Sequence, residues 1–262
     1  MIYLTGSSGM VGSRFMKVCN DRTITPVSYR GTVPDVFESH ENACLIHAAW
    51  STTTRTPFSQ IEEVYRRDLF PSQQLFQKFA EKNPEGKIIF LSTAGAAYTG
   101  YERTVAEDTI PNPKSLYGET KMQVEKVLKE IDCDTVSLRI SNIWGVKGLP
   151  SDRKNGLIDK LIDCLDTDRV VDLYANLDTR IDIIHVDDLI SLILKVVDAP
   201  SDIKHQMYLV GAQSLTIKDV LDRVTAHGTL RLNLSRSENK NYLHVENGRV
   251  KRKYNWNPTH RL

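Results

Sequence analysis

The stretch "MIYLTGSSGMVGSRF" at residues 1–15 restricts the possible folds more than any other part of the chain. An apolar run, Ile2 to Leu4, meets a glycine cluster, and an amphipathic pattern begins at once. Strand, tight turn and helix in immediate succession open a βαβ unit. In Thr5-Gly6-Ser7-Ser8-Gly9-Met10-Val11-Gly12, the spacing gives each glycine a task. Gly6 takes the turn out of the strand, Gly9 lets the backbone approach a pyrophosphate, and Gly12 lets the helix lie against the sheet. Ser8, Gly9, Met10 and Val11 then stand at a helix start, whose free N–H groups and positive dipole end favour an anion. The pattern points to a dinucleotide.

The rest of the chain repeats the alternation. "TITPVSY", "ACLIHAA", "KIIFLSTAG" and "TVSLRISNIWG" read as strands, separated by helical stretches such as "SLYGETKMQVEKVLKEI". A long amphipathic helix over "SQIEEVYRRDLFPSQQLFQKFAEK" is interrupted at Pro71. Strands joined by helices form a parallel sheet covered on both faces, and right-handed crossovers make it a doubly wound α/β fold of Rossmann type. After Gly145 the pattern loosens. Residues 205–262, with "QMYLVG", "TIKDVLDRVTAH" and a polar tail, read as a smaller lobe.

Composition removes several partners. The 34 Lys and Arg balance 33 Asp and Glu, and a net charge of +1 offers no field for nucleic acid or a membrane surface. The basic run "GRVKRKYNW" at 248–256 reads as a solvated face, because no nucleic-acid motif accompanies it. Cys19, Cys44, Cys133 and Cys164 form no CxxC pair and have no histidine cluster near them. No metal site is expected, and the thiols read as reduced, in a cytoplasmic protein. "MIYLTG" is too short for a signal peptide, and no apolar run approaches the roughly 18 residues that cross a bilayer.

The end of the second strand usually carries an acid that grips the adenosine ribose. Here no Asp or Glu stands between Asp21 and Asp35, and Arg30 occupies the place. A cation there favours a 2′-phosphate, hence NADP(H) over NAD(H). Tyr117 and Lys121 lie four apart, on one face of a helix. The ammonium lowers the phenol's pKa, so that Tyr117 can exchange a proton with an alcohol or ketone. Upstream, Ser92 and Thr93 end a strand, where a hydroxyl can hold the substrate oxygen.

With these motifs in place the chain resembles an extended short-chain dehydrogenase/reductase of the nucleotide-sugar epimerase/dehydratase/reductase family. "TGSSGMVG", "LIHAAW", "LSTAGAAY", "PKSLYGETK", "LRISNIWG" and "DIIHVDDL" match it in order, and "MYLVGAQSLTIKDVLDRV" and "RKYNWNP" match the lobe that usually follows, so that the resemblance runs nearly end to end. The resemblance implies that Ala48 and Ala49 line the cofactor and that Tyr117 and Lys121 form the acid/base pair. It places Asn142 on the substrate's diphosphate or sugar and Arg180 near the diphosphate. Asp68 stands near a usual cofactor-side asparagine, and His47 is a core histidine. The strand-end hydroxyl is Thr93 counting forward from Phe90, with Ser92 the second choice. The resemblance implies a division of the chain: residues 1–145 with about 176–198 as the dinucleotide domain, and about 146–175 with 199–262 as a small substrate-binding lobe. Family habit implies a homodimer through helices around 61–83 and 116–131.

Ala94, Gly95 and Ala96 follow Thr93, where a 4,6-dehydratase would carry an Asp-Glu pair, so elimination chemistry is disfavoured. Two chemistries remain for an NAD(P)-dependent enzyme on a nucleotide-linked sugar. One is reduction of a 4-keto sugar, favoured by Arg30. The other is 4-epimerisation with retained NAD. A catalytically idle, dinucleotide-sensing protein is the reading of another class, and intact Tyr117 and Lys121 argue against it.

Overall fold

The short apolar runs become strands because their residues alternate between two cores. The computed structural model describes residues 1–28, 33–146, 156–201, 205–238 and 241–262. Along the chain run β1 (Ile2–Thr5), α1 (Met10–Val18), β2 (Ile24–Val27), β3 (Cys44–His47), α2 (Ile61–Val64), α3 (Phe70–Lys82), β4 (Lys87–Thr93), α4 (Leu116–Lys129), β5 (Asp134–Ile140), β6 (Asn142–Trp144), α5 (Leu157–Cys164), β7 (Val170–Ala175), β8 (Arg180–His185), α6 (Val186–Asp198), β9 (His205–Val210), β10 (Gln213–Thr216), α7 (Ile217–Thr225), β11 (Arg231–Arg236) and α8 (Gly248–Tyr254).

Six strands make one sheet in the order β2-β1-β3-β4-β5-β9, every pair parallel. This is the doubly wound α/β fold expected from the sequence, with its switch point between β1 and β3. Ile2, Leu4, Cys44, Ile46, Ile89 and Leu91 face one core with α1, α6 and α8. Tyr3, Leu45, Ile88 and Phe90 face the other, with α3 and α4. The period of two thus sorts each strand's side chains between two helical layers. Pro26, which donates no ladder hydrogen bond, sits on edge strand β2.

The alternation is incomplete in two places. No helix covers the β2–β3 connection among the described residues 33–43; Val33 and Phe37 enter the second core in its stead. The long helix expected over 59–82 is broken by a π-turn, Tyr65–Leu69, just before Pro71. The proline lacks an N–H and its ring crowds the carbonyl four residues back, so the ladder widens there.

The C-terminal stretch divides differently from the sequence reading. Strand β9, expected within the smaller lobe, pairs with β5 as the sixth strand of the main sheet. The tail is not merely polar: Val250, Tyr254 and Trp256 are buried in the α1/α6 core, while Arg252 and Lys253 on α8 are exposed. A separate cluster of Ile158, Leu161, Val171, Leu215, Val220 and Val224 joins α5, α7, β7 and β10. Two small sheets, β10-β8-β6 and β11-β7, flank it.

Candidate active site

The glycine cluster forms the sharp turn its spacing requires. Gly6 has φ +69°, and Gly9 N–H donates to the Gly6 carbonyl at 2.9 Å. A Cβ on Gly12 would stand 2.1 Å from the Gly6 oxygen, so only glycine lets α1 approach the strand end this closely. Gly9 caps α1 with no side-chain hydrogen bond, and no acid occupies the first turn. The amides at Met10 and Val11 are therefore unscreened by any carboxylate, and this donor set fits a phosphate.

Thr5 fixes the neighbouring strand end. Its Oγ1 accepts the N–H groups of Ala48 and Ala49, each at 3.1 Å, and meets His47 Nδ1 at 2.9 Å. With both acceptor sites filled, the hydroxyl donates to His47, whose Nε2–H then donates to Ser72 Oγ at 3.0 Å; Ser72 donates in turn to the Asp68 carbonyl. His47 is thus a neutral core histidine, its pKa pushed down to about 3 by burial and then by the Lys121 charge. The sign follows from linkage: between pH 6.5 and about 3 the unfolded chain binds a proton that the native chain refuses. Stability should fall by about 1.4 kcal/mol per pH unit across that window. Urea unfolding at about pH 7 and about pH 5 checks this, and His47→Gln should flatten the dependence.

The second constellation lies at the carboxyl end of β4, which β3 alone separates from β1. Helix α4 starts at Ser115, whose Oγ accepts the Gly118 N–H at 3.2 Å. A Cβ on Gly118 would lie 2.5 Å from the Ala96 carbonyl, so glycine brings Tyr117 against the turn after Thr93. The Tyr117 pKa is raised, against the lowering expected from Lys121: burial raises it most, a hydrogen bond with the Thr93 side chain lowers it, and the Asp68 charge raises it. Lys121 is 3% exposed. Its Nζ donates to the Leu91 carbonyl at 2.7 Å and lies 4.0 Å from the Trp50 ring centroid, 4.6 Å from Phe90 and 5.8 Å from Tyr117. Burial lowers the Lys121 pKa to about 7 against the raising charges of Asp68 and Glu125.

The structure thus brings Thr93, Tyr117 and Lys121 together, and it separates Ser92 from them. Ser92 lies on the face of β4 that Phe90 turns toward α4, and it donates at 2.5 Å to Glu125, two helical turns beyond Tyr117. Glu125 is paired with Arg139 at 2.7 Å, and Arg139 also reaches the Tyr98 hydroxyl. Ser92 therefore belongs to a buried structural network, its hydroxyl taken by Glu125 further along α4. Ala48 and Ala49 have their amides tied to Thr5.

Asn142 is exposed on β6 and donates to the Asp182 carbonyl at 2.9 Å. Arg180 donates to the Ser214 carbonyl at 3.0 Å. Since Asn142 pairs with Ile183, Arg180 stands three residues further along β8, roughly 10 Å away. Arg14, on the surface of α1, is held by Asp187 at 2.7 and 2.8 Å. Arg30 lies outside the described residues.

His185, Asp187 and His260 bring three donor atoms within 4.8 Å of one another. Their geometry is unsuited to one ion: the two rings stack face to face at 4.1 Å, and Arg14 already pairs with Asp187. Sequence reasoning gave no role to Trp50, although it closes the "LIHAAW" motif, or to Glu125, whose position one turn beyond Lys121 was its only signal.

A doubly wound sheet with a glycine-turn anion site and a Tyr-x-x-x-Lys pair beside a strand-end threonine defines a dinucleotide-dependent enzyme of short-chain dehydrogenase type. Residues 2–211 match the sequence profile of the NAD dependent epimerase/dehydratase family, and the chain belongs to that family. No curated protein sequence matches it significantly. Among solved structures it resembles MoeE5 in complex with UDP-glucose and NAD, with a TM-score of 0.84, 18% identity, and 100% of this chain and 94% of that one covered. The UDP-glucuronic acid 4-epimerase of Bacillus cereus, bound to UDP-glucuronic acid and NAD, gives 0.82 at 17% identity, covering 99% and 94%. RMD of Pseudomonas aeruginosa, complexed with NADPH, gives 0.81 at 17%, with the same coverage. Among the described residues no helix is long and apolar enough to cross a membrane.

Proposed function

We propose that this enzyme reduces a 4-keto group on a nucleotide-linked sugar with NADPH. The observation that carries the reading is the Thr93–Tyr117–Lys121 constellation, which places a proton donor, an oxygen-holding hydroxyl and a cation at one strand end. Bound nicotinamide supplies the hydride. Tyr117 gives its phenolic proton to the carbonyl oxygen, Thr93 holds that oxygen, and Lys121 stabilises the phenolate left behind. Gly6, Ser8, Gly9, Met10, Val11 and Gly12 would cradle the pyrophosphate. Ala48, Ala49 and Lys121 would line the remainder of the cofactor groove.

The preference for NADPH is supported by the end of β2, where Val27 and Ser28 offer no carboxylate to a ribose 2′-hydroxyl. Arg30 follows in the sequence as the candidate partner of a 2′-phosphate. Asn142 is assigned to the substrate's diphosphate or sugar, with Arg180 a more distant contact. The six-stranded sheet would carry the cofactor and the α5/α7 cluster the substrate side.

A 4-epimerase with retained NAD is the second reading, supported by neighbours named as 4-epimerases that hold NAD. All four cysteines are buried and free, which supports a reducing, cytoplasmic setting. A homodimer is proposed through the outer face around Phe58, Ile61 and Phe70, which are 48, 36 and 53% exposed. Phe70→Glu should halve the mass in sedimentation.

The test is incubation with UDP- and dTDP-sugars and their 4-keto forms, following reduced cofactor and sugar product together. Stoichiometric loss of NADPH with formation of the 4-hydroxy sugar is expected. Isomerised sugar without net cofactor change would select the epimerase, and tight cofactor binding without turnover would reject both.

A further inference from the structure

Lys121 is a buried cation held by groups that the proposed reaction leaves unexplained. Its Nζ lies 4.0 Å from the Trp50 ring centroid, a separation at which an ammonium is attracted to the ring's face. Trp50 belongs to the segment that leaves β3, and the residue after it is anchored. Ser51 donates to Asp68 twice, from its N–H at 3.0 Å and from its Oγ at 2.9 Å. Asp68 is 5% exposed and sits in the π-turn that interrupts the long helix. That turn is also tied to the glycine loop, through Ser72, His47 and Thr5.

We infer that Asp68 and Trp50 form a clamp that positions Lys121: Asp68 pins the Trp50–Thr52 segment and supplies the counter-charge, and Trp50 covers the ammonium. Neither is a catalytic residue; both are positioning residues that act through the lysine. The inference rests on the assignment of Tyr117 and Lys121 above and extends it to a further determinant of the reaction.

The surroundings of Lys121 give the direction of the effect. Phe90 and the Leu91 carbonyl approach it from β4, Tyr117 and Glu125 from α4, Trp50 and neutral His47 from β3 and its exit, and Asp68 from the π-turn. The Asp68 and Glu125 charges favour the ammonium, while burial opposes it. Removing the Asp68 charge must therefore weaken proton binding at Lys121. Removing the Trp50 ring face must weaken it too, because an attraction to the ammonium is lost while the site stays apolar.

Lysine-labelled protein tests this by NMR titration of the Lys121 side chain, identified by its disappearance in Lys121→Met. Asp68→Asn keeps an acceptor for the Ser51 N–H and should lower the midpoint by about one pH unit, a tenfold loss of proton affinity. Trp50→Leu should lower the midpoint, because the ring attraction is lost and the apolar cover kept, and Trp50→Phe should leave it near the native value. In turnover, the alkaline limb of kcat should move down with the midpoint in Asp68→Asn, with KM for the nucleotide sugar within about twofold.

An unmoved or raised midpoint in Asp68→Asn overturns the clamp. Should that variant not fold, the Trp50 pair decides, and equal midpoints for Phe and Leu overturn it. A shifted midpoint in a protein that turns over no sugar retains the clamp and rejects the proposed reaction. An unmoved midpoint in an active enzyme rejects the clamp alone.

Discussion

Tyr117→Phe is expected to reduce turnover by about a thousandfold or more while leaving the fold and cofactor binding intact. The substitution removes one oxygen. That oxygen is the group hydrogen-bonded to Thr93, and no other described side chain with a titratable proton is bonded to Thr93 Oγ1. The ring itself remains. It packs edge-on to Trp50 at 6.5 Å and lies 5.8 Å from Lys121 Nζ, and a phenylalanine keeps both contacts. The proposed assignment puts the cofactor's pyrophosphate on the glycine loop, at the end of another strand, so fluorescence titration with reduced dinucleotide should give an unchanged Kd. Retention of turnover would show that the proton comes from elsewhere.

Gly12→Val should act at the opposite end of the chain of causes, on the fold first. A Cβ at this position meets the Gly6 oxygen at 2.1 Å, the Gly6 carbonyl carbon at 2.7 Å and the Ser7 Cα at 2.9 Å. All three are backbone atoms, so no rotamer change relieves the clash. Helix α1 must move off β1, and Val11 and Phe15 leave the core they share with α6 and α8. The expected cost is at least about 3 kcal/mol, with cofactor binding lost as well. Gly95→Ala is the control: its Cβ would find only the Leu243 Cδ2, at 4.0 Å, and stability should stay within about 0.5 kcal/mol. Urea unfolding of the three proteins makes the comparison.

These two positions stand out in the sequence because their neighbours act over short distances. Thr5 to Gly12 is one local turn, and Tyr117 and Lys121 are one helical turn apart, so spacing alone puts their groups together. The choice between Ser92 and Thr93 needed the packing of α4 on β4, which decides that Ser92 meets Glu125 and Thr93 meets Tyr117. Asp68 and Trp50 are 18 residues apart, meeting only because a π-turn rotates Asp68 toward the exit of β3. No periodic pattern announces such a turn, and Pro71 marked only an interruption. Strand β9 was recognisable as a strand, but its partner β5 lies far back in the chain, and its sheet could not be read from "QMYLVG" alone. Trp256 looked like part of a polar tail, yet it is 1% exposed, with its indole N–H donating to the Asp188 carbonyl at 3.1 Å. A single tryptophan among polar residues carries no periodicity.

The site's electrostatics follow the same division. Arg139 and Glu125 form a bidentate buried pair whose partners come from β5 and α4, and the Glu125 charge reaches Lys121. The sequence displays Arg139 only as one residue of a family strand. Its contribution, holding the Ser92–Glu125 side of α4 in register with β4, exists only in three dimensions.

The central claim is that a hydride reaches a sugar carbonyl whose oxygen is protonated by Tyr117. Its most direct test uses NADPH deuterated at the transferring position, a panel of 4-keto nucleotide sugars, and mass spectrometry with NMR of the sugar product. The expected result is one deuterium at the former carbonyl carbon, one equivalent of NADPH consumed, and neither in Tyr117→Phe. A reduced sugar without deuterium, or deuterium transfer undiminished in Tyr117→Phe, would contradict the account.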